Sequence, residues 1–379
     1  MTSIDDRISR HIREYDGQGW HRTGTTVDLE SAHWLAGLVE EVGVEPVLES
    51  FTLDRVVPGE SYIEVSGRRI EGLPLFDGGF TGAEGVHGQM GRHDAKIMLV
   101  EGSPILAAEA LDDARRSGNY RALVFVTNSI GSAPGLAPRN APDFTEPFGP
   151  PVLQVNGVEH ESLVEQADAG ASVRVVVQAE RRPGEAVNVA AEIQGQDRDL
   201  PPLVVMTPRS GWWEIAAERG GGIACWLEVM RVMQIQRPTR DVRFVATSGH
   251  ELGHLGLKAY LNNNPNLATD ALVWMHLGAS IGASVDATPN LYTSDEGLER
   301  RAVHYLKFEV SKMPVVRPRD GVPGGESREI HQRGGSYVSL AGGHATFHQQ
   351  ADRWPDTVDI ESVASYAKTK TDLAREFSC

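Results

Sequence analysis

The sequence predicts an α/β protein in which a β-rich domain interrupts a doubly wound, mostly parallel sheet. Three observations support this prediction. The chain has 379 residues, enough for about two domains. Its 40% hydrophobic and 23% charged residues are ordinary proportions for a globular protein. After residue 186 short apolar runs alternate with helical patterns, whereas residues 51–185 carry β-branched runs separated by Gly and Pro.

The chain begins with two predicted helices. Residues 4–15 and 27–43 carry apolar side chains at helical spacing. Asp28 can cap the second helix and Gly43 can end it, since these residue types favour the two helix ends. We therefore assign residues 1–50 to the α/β domain, as an opening helical layer.

The middle of the chain has the pattern of a β-rich domain. Its apolar runs are short, β-branched and bounded by turn-forming residues. The predicted strands are residues 61–65, 96–100, 122–126, 151–155 and 172–177. The sequence therefore predicts an inserted domain over residues 51–185.

From residue 186 to residue 379 the pattern is strand followed by helix, repeated, which predicts the doubly wound sheet. The predicted strands are residues 189–193, 203–206, 242–246, 271–275 and 337–340, and the predicted helices are residues 215–233, 252–262, 296–312 and 360–377. Ligands of such sheets bind beyond the carboxyl ends of the strands. The segments that begin at Thr207, Ser248 and His276 lie there.

Charge and chain ends limit the classes of partner. A formal net charge of -16 opposes binding to nucleic acid or to an anionic membrane. The first residues lack the basic start and apolar run of a signal peptide, and no later stretch reaches ~18 apolar residues. Only Cys225 and Cys379 could form a disulfide, and we expect none. The sequence therefore predicts a cytoplasmic protein that acts on a small molecule.

The segment His-Glu-Leu-Gly-His at residues 250–254 raises the question of a metal site. On a continuous helix, His250 and His254 would share one face with Glu251 beside them, as in zinc proteases. However, the strand-like residues 242–247 end directly before this segment, and glycines interrupt it. The sequence therefore favours a loop that leads into a helix. A zinc-protease helix that uses His250 and His254 as ligands remains an alternative.

Six segments spread along the chain carry a resemblance to a known family. They are residues 96–100, 151–155, 188–193, 220–224, 248–256 and 347–352. Together they resemble peptidase family M28, zinc aminopeptidases, in the form that carries a protease-associated (PA) domain as an insert. The resemblance implies the zinc-exopeptidase type of α/β fold for residues 1–50 and 186–379, and a PA-like domain for residues 51–185.

The resemblance also implies a set of metal positions, with changes. The family uses a His, a bridging Asp, a Glu, an Asp and a final His as ligands, and a second Glu as general base. In this chain the first ligand position is Pro208, the bridging position is Glu218 and the base position is His250. The remaining ligand positions, in chain order, are Glu251, His276 and His348. Pro208 cannot bind a metal and the base Glu is replaced by His250, so the resemblance implies one metal ion rather than two.

The predicted cofactor is therefore one divalent transition metal, zinc first and manganese, iron or cobalt as alternatives. Its candidate ligands are Glu218, His250, Glu251, His254, His276 and His348. The ion would acidify a bound water and polarise a carbonyl, with His250 or Glu251 taking the proton. Two of these positions keep alternatives: Glu218 can instead pair with Arg219 or cap a helix, and His254 can instead be a buried histidine bonded to a carbonyl.

Candidate substrate-binding residues surround these positions. Arg209, Trp212 and Trp213 follow the place of the lost first ligand and suit a flat or carboxylate-bearing molecule. Alternatively, the tryptophans pack against the insert and Arg209 pairs with an acidic residue. Further pocket candidates are Glu326, Arg328 and His331.

The predicted function is a metal-dependent hydrolase of a small amide-type substrate, carboxylate-bearing or aromatic, and not a general aminopeptidase. Two alternatives remain. One is a lyase, cyclase or ring-opening enzyme on the same metal site, and the other is a catalytically inactive M28-like protein used for binding or assembly. Because the insert of the family often lies over the active site, we also predict a homodimer or a higher homo-oligomer.

Overall fold

The computed structural model describes residues 3–127 and 134–379, and within them ten α-helices and thirteen strands are numbered in chain order. The helices are α1 (Ile4–Asp16), α2 (Thr26–Val42), α3 (Ala108–Arg116), α4 (His160–Asp168), α5 (Gly221–Gln236), α6 (Leu255–Asn263), α7 (Leu267–Asp270), α8 (Glu296–Glu309), α9 (Ser327–Gln332) and α10 (Ile360–Ser378). No helix of this part of the chain has the length and apolar character that crossing a membrane requires.

The strands form one continuous thirteen-stranded sheet. They are β1 (Pro46–Val65), β2 (Arg68–Pro74), β3 (Val86–Gly91), β4 (Ile97–Gly102), β5 (Ala122–Thr127), β6 (Val152–Asn156), β7 (Ser172–Ile193), β8 (Leu203–Pro208), β9 (Val242–Thr247), β10 (Val273–Leu277), β11 (Asn290–Thr293), β12 (Val315–Val316) and β13 (Tyr337–Ala341). The sheet order is β1-β2-β6-β5-β4-β3-β7-β9-β8-β10-β13-β11-β12, with β1 also paired to β7.

The pairing of β1 with β7 divides this sheet into two regions. It closes β1, β2, β6, β5, β4, β3 and β7 into a barrel, whose interior is an apolar cluster that includes Ile63, Leu99, Val124 and Val175. Beyond β7, the strands β9, β8, β10 and β13 run parallel to one another, whereas β9 is antiparallel to β7 and β13 is antiparallel to β11. The mixed α/β fold with a mostly parallel sheet is therefore as the sequence predicts.

Two long strands connect the regions, where the sequence suggested separate short ones. β1 and β7 are antiparallel from Pro46 opposite Ala191 to Val65 opposite Val173, with one irregularity between Pro58 and Ser61. Apolar runs alone could not show this continuity, because the polar residues between them are exposed on a two-stranded ribbon. The predicted domain boundaries lie inside these strands, near the pair Phe51 and Ala186.

Helices cover both faces of the parallel sheet. In β8, Leu203 and Val205 point to a core built with α1, α2, α5, α8 and α10. Val204 and Met206 point the other way, to a core built with α6, α7 and α9. This alternation is the period of a strand that is buried on both faces.

The second helix begins slightly differently from the prediction. Thr25 is its N-cap, and its side chain accepts a hydrogen bond from the Asp28 N–H. Asp28 lies three residues later and accepts from the Gly24 N–H at 2.8 Å. Gly43 ends the helix with φ of 87°, the left-handed conformation that glycine adopts most easily.

Candidate functional site

The candidate site lies at the carboxyl ends of β8, β9 and β10, where the sequence placed it. A wide π-helical turn, residues Ala216–Gly220, precedes α5 and carries Glu218 and Arg219. The Asp352 carboxylate fixes this turn, since it accepts from the Ala217 and Glu218 N–H groups at 2.9 Å each. Single π-turns of this kind often occur at functional sites.

The segment His-Glu-Leu-Gly-His does not form a zinc-protease helix. Residues His250–Leu252 form one 3₁₀ turn between Gly249 and Gly253, both left-handed, and His254 is left-handed as well. α6 begins only at Leu255. The rings of His250 and His254 lie 5.0 Å apart, but the His254 Nδ1 contacts Glu329 at 3.2 Å.

A buried arginine occupies the centre of the carboxylate cluster. Arg219 Nη2 lies 2.9 Å from Glu218 Oε1 and 2.8 Å from Glu251 Oε1. Its Nε donates to the Ser210 carbonyl at 2.9 Å, and the Ser210 hydroxyl donates to Glu251 Oε2 at 2.8 Å. All three charged side chains are at most 3% exposed. One guanidinium therefore links the two carboxylates that the resemblance assigns to the metal.

Electrostatics keeps this cluster ionised. Burial by itself would raise the pKa of Glu218, but the Arg219 cation and the His348 ring lower it well below the ordinary value. Burial by itself would lower the pKa of Arg219, but Glu218 and Glu251 raise it above the ordinary value. The guanidinium and the carboxylate of Glu218 thus stabilise each other's charged form.

His348 is oriented toward this cluster by the barrel. Its Nδ1 lies 2.7 Å from the carbonyl oxygen of Pro138, which can only accept, so the ring carries a proton on Nδ1. Its Nε2 lies 3.4 Å from Glu218 Oε1. In the neutral ring, Nε2 therefore presents a lone pair beside a carboxylate.

The second half of the site is built from neutral histidines. His276 Nδ1 lies 2.8 Å from the Ser339 hydroxyl, and His250 Nδ1 lies 3.6 Å from Glu326 Oε1. Both oxygens of Glu326 accept from the Thr247 hydroxyl, at 2.7 and 2.8 Å. Burial lowers the pKa of His276 to about 3 and that of His250 well below its ordinary value.

A loop of the barrel region covers the site. The Ala141 N–H donates to the Glu251 carbonyl at 2.7 Å, and the Trp212 indole N–H donates to Asn140 at 3.0 Å. A Cβ at Gly253 would come within 2.6 Å of the Pro142 carbonyl oxygen, so the two backbones are in close contact. The covering loop, residues 134–142, excludes bulk water from the carboxylate cluster.

Buried polar atoms without a hydrogen bond concentrate here. Among the described residues, such atoms of this region are Arg219 Nη1, His250 Nδ1, His276 Nε2, His344 Nε2 and His348 Nε2. Native proteins leave few buried polar groups without a partner, so a cluster of them needs an explanation. A small polar ligand is the simplest explanation, because it could supply partners to several of them together.

Part of the chain is similar to a known peptidase family. Residues 215–374 match the model of peptidase family M28. No curated protein matches the sequence. Over this segment the chain is M28-like. The likeness in fold extends well beyond the matched segment, as the solved structures show.

Three structures illustrate the shared fold. BSAP, a zinc aminopeptidase from Bacillus subtilis, has a TM-score of 0.77 at 16% identity, covering 98% of this chain and 94% of that one. A peptidase M28 precursor from Shewanella amazonensis SB2B has a TM-score of 0.78 at 14% identity, covering 99% and 95%. An aminopeptidase from Aneurinibacillus sp. strain AM-1 has a TM-score of 0.72 at 16% identity, covering 98% and 93%. At these identities the fold is what the M28-like chain shares with them.

The predicted ligands of this M28-like chain do not fit a metal ion. No three His, Cys, Asp or Glu residues of the described chain group closely enough to hold one. Glu218 and His348 present two donor atoms, but the Arg219 cation lies 2.9 Å from the first of them. A divalent cation there would meet a fixed positive charge at short range, which is strongly unfavourable in a buried site.

Several predicted substrate-binding residues lie outside the site of the M28-like chain. Arg209 is fully buried and donates to the Asp28 carboxylate at 2.9 Å, as in the alternative interpretation, and to the Val187 carbonyl. Arg328 is exposed, and His331 contacts the Tyr337 hydroxyl at 3.2 Å. The sequence could not decide between the two interpretations of Arg209, because a buried ion pair and an anion-binding site both use arginine.

Trp212, Trp213 and Glu326, in contrast, lie in or next to the site. Trp212 packs edge-on against Phe76 of the barrel, with ring centroids 5.0 Å apart, and lines a cavity beside Glu251. The Trp213 indole donates to the His348 carbonyl at 2.8 Å, so it supports a site residue. Glu326 is the pocket candidate that does reach the site, next to His250.

Sequence reasoning missed three contributors. Arg219 was considered only as a partner of Glu218, although a cation directly after a ligand position was a usable signal. Asp352 and the covering loop gave no signal, because their roles depend on backbone groups brought together by folding.

Proposed function

We propose that this M28-like chain is a hydrolase of a small amide-type substrate, in which the buried guanidinium of Arg219 supplies the positive charge of the site. The observation that carries the proposal is the pairing of Arg219 with both Glu218 and Glu251. The zinc predicted from the sequence, or manganese, iron or cobalt, does not enter it, since the donor set does not fit an ion.

Arg219 is suited to polarise the substrate carbonyl. Its Nη1 has no hydrogen-bond partner among the described residues, and its Nη2 and Nε are held by Glu218, Glu251 and Ser210. A donor fixed in this way in a closed site stabilises the oxyanion that develops when a carbonyl is attacked. The two carboxylates hold the guanidinium in position.

His348 is suited to act as the general base. Its Nε2 would take a proton from water while the water oxygen forms a bond to the carbonyl carbon. When the C–N bond breaks, the imidazolium returns that proton to the leaving nitrogen, so the ring ends as it began. Glu218, 3.4 Å from Nε2, would stabilise the imidazolium in between.

The first experiment measures hydrolysis of a panel of N-acyl amino acids and amino acid amides, with and without a strong chelator. We expect activity that survives the chelator in protein containing well below one equivalent of transition metal. The variant His348→Gln should lower kcat by about 100-fold or more, whereas His331→Gln, outside the site, should leave it unchanged. Activity that disappears with a stoichiometric metal would overturn the proposal.

A second candidate is a binding protein without catalysis, as the sequence also allowed. It is favoured by Glu251, whose two oxygens are both engaged, one by Ser210 and one by Arg219. No hydrolysis across the panel, together with metal-free protein, would support this candidate. The lyase, cyclase and ring-opening alternatives, the homo-oligomer, the PA-like identity of the barrel and the cytoplasmic location stay predictions.

A further inference from the structure

A cavity next to the carboxylate cluster has features that the proposed reaction does not use. It measures about 200 Å³ and opens between the α/β region and the start of the barrel. Gly211, Glu251 and Leu252 form its inner end. Its volume is below the ~300 Å³ at which drug-sized ligand pockets begin, so it suits a small molecule.

The cavity wall is apolar, with two cations. Val56, Val57, Pro58, Phe76 and Trp212 supply the apolar part. Arg22 and Arg55 supply the charge, with hydroxyl groups of Thr23 and Thr25 nearby. The single carboxylate of the described lining is Glu251, which is already paired with Arg219.

Neither arginine has a carboxylate partner among the residues that the structure describes. Arg22 donates through Nε to the Trp212 carbonyl at 3.0 Å and lies 4.6 Å from the Trp213 ring centroid. Burial lowers the pKa of Arg22 to about 10, with no acidic group opposing the shift. Arg22 is partly buried, and in a chain with 52 Asp and Glu residues against 36 Lys and Arg an arginine that has lost part of its hydration without gaining an acidic partner is unusual.

We propose that this cavity binds a small apolar carboxylic acid, with the carboxylate between Arg22 and Arg55 and the apolar body against Val57, Phe76 and Trp212. Two guanidinium groups give a carboxylate charge-assisted hydrogen bonds, which are among the strongest in proteins. That this acid is one end of the hydrolase substrate rests on the proposed function, whereas the binding itself does not.

The test is a titration of the full-length protein with phenylacetate, and with phenylacetamide as the uncharged analogue. Calorimetry and the intrinsic tryptophan fluorescence, to which Trp212 contributes, report binding. We expect one saturable site that prefers phenylacetate by about ten-fold or more. Equal affinity for the two compounds, or no saturable binding, would overturn the proposal.

Variants localise the site. Arg55→Gln should weaken phenylacetate binding by about ten-fold, and Arg22→Gln should do the same if it folds. Arg182→Gln is the matched control, because Arg182 lies opposite Arg55 on β7 but is exposed and paired with Glu180; its effect should stay within about two-fold. Equal effects of Arg55→Gln and Arg182→Gln would mean diffuse attraction and no site.

A further variant distinguishes the carboxylate-binding site from the proposed hydrolase activity. His348→Gln removes the proposed base but should bind phenylacetate as the wild type does, because His348 does not line the cavity. Carboxylate binding without hydrolysis of any amide would refute the enzyme and keep the site. Hydrolysis of amides by a protein that shows no saturable phenylacetate binding would refute the site and keep the enzyme.

Discussion

Around Arg219 the candidate site buries its charges in contact with one another, whereas around His276 it buries side chains that are neutral. Glu218 remains ionised because the Arg219 guanidinium lies 2.9 Å from it, and the same guanidinium lies 2.8 Å from Glu251. His250 and His276 are also buried, but burial lowers their pKa and they lose their protons. The two halves thus represent the two ways in which a protein can bury titratable groups, by pairing or by neutralisation.

The two halves of the site should be sensitive to different changes. The paired half depends on a single residue, since removal of the cation exposes two carboxylates to each other. The neutral half depends on pH and on shape, since its rings carry no charge that a partner must balance.

The largest expected effect is on the paired half. Arg219→Ala should lower the free energy of unfolding by about 3–5 kcal/mol, the usual cost of leaving buried charge without its partner. Urea unfolding at pH 7 measures it, with Arg300→Ala as control, because Arg300 forms an exposed pair with Glu296 worth at most about 0.5 kcal/mol. A loss below about 1 kcal/mol would mean that the two carboxylates do not need the cation.

The same variant tests what Arg219 replaces. Without the guanidinium, Glu218 Oε1 and His348 Nε2, 3.4 Å apart, remain as two donor atoms with no cation beside them, and we expect zinc to raise the Tm of Arg219→Ala. Zinc should leave the Tm of the wild type unchanged, because the guanidinium opposes it. Stabilisation of both proteins by zinc would remove the distinction between an arginine site and a metal site.

The next effect belongs to the neutral half and depends on pH. His276 has a folded pKa of about 3 against an ordinary value of 6.5, so its contribution to stability is present above pH 6.5 and is lost as the pH falls toward 3. Between pH 6.5 and 5 this loss amounts to about 2 kcal/mol. Glu218, whose pKa is lowered from 4.5, should lose its contribution only in stronger acid.

His276→Gln isolates that contribution. Between pH 6.5 and 5, the unfolding free energy of the variant should depend less steeply on pH than that of the wild type. The difference in slope should correspond to about one proton fewer taken up on unfolding. His304→Gln, on the surface of α8, serves as control. An unchanged slope in His276→Gln would show that this ring is not held neutral by burial.

The smallest effect tests the shape of the neutral half. Gly325 has φ of 66°, and a Cβ there would lie 2.9 Å from His276 Cε1. Gly334 has φ of 76° but open space around its Cβ position, so Gly334→Ala measures the backbone term alone. We expect Gly325→Ala to cost about 1 kcal/mol more than Gly334→Ala in urea unfolding. Equal costs would mean that the loop can move away from His276.

The sequence did not predict β2, β3, β11, β12, α3, α4, α7 or α9. By itself it determined the α/β class, the alternation of strand and helix after residue 186, and the edge of the sheet where the polar residues meet. These follow from local periodicity, which depends on neighbouring residues only. Strand ends placed the segments that begin at Thr207, Ser248 and His276 on one side of the sheet. The resemblance to family M28, and not the strand pattern, added Glu218, His348 and Glu326 to that region.

Tertiary structure decided what those residues do. Whether Glu218 and Glu251 face a metal or a guanidinium depends on where the long side chain of Arg219 lies, and the π-turn held by Asp352 sets that position. Whether Arg209 meets a ligand or Asp28 depends on a contact across 181 residues. Periodicity contains no information about such contacts, because they arise only when distant segments exclude water together.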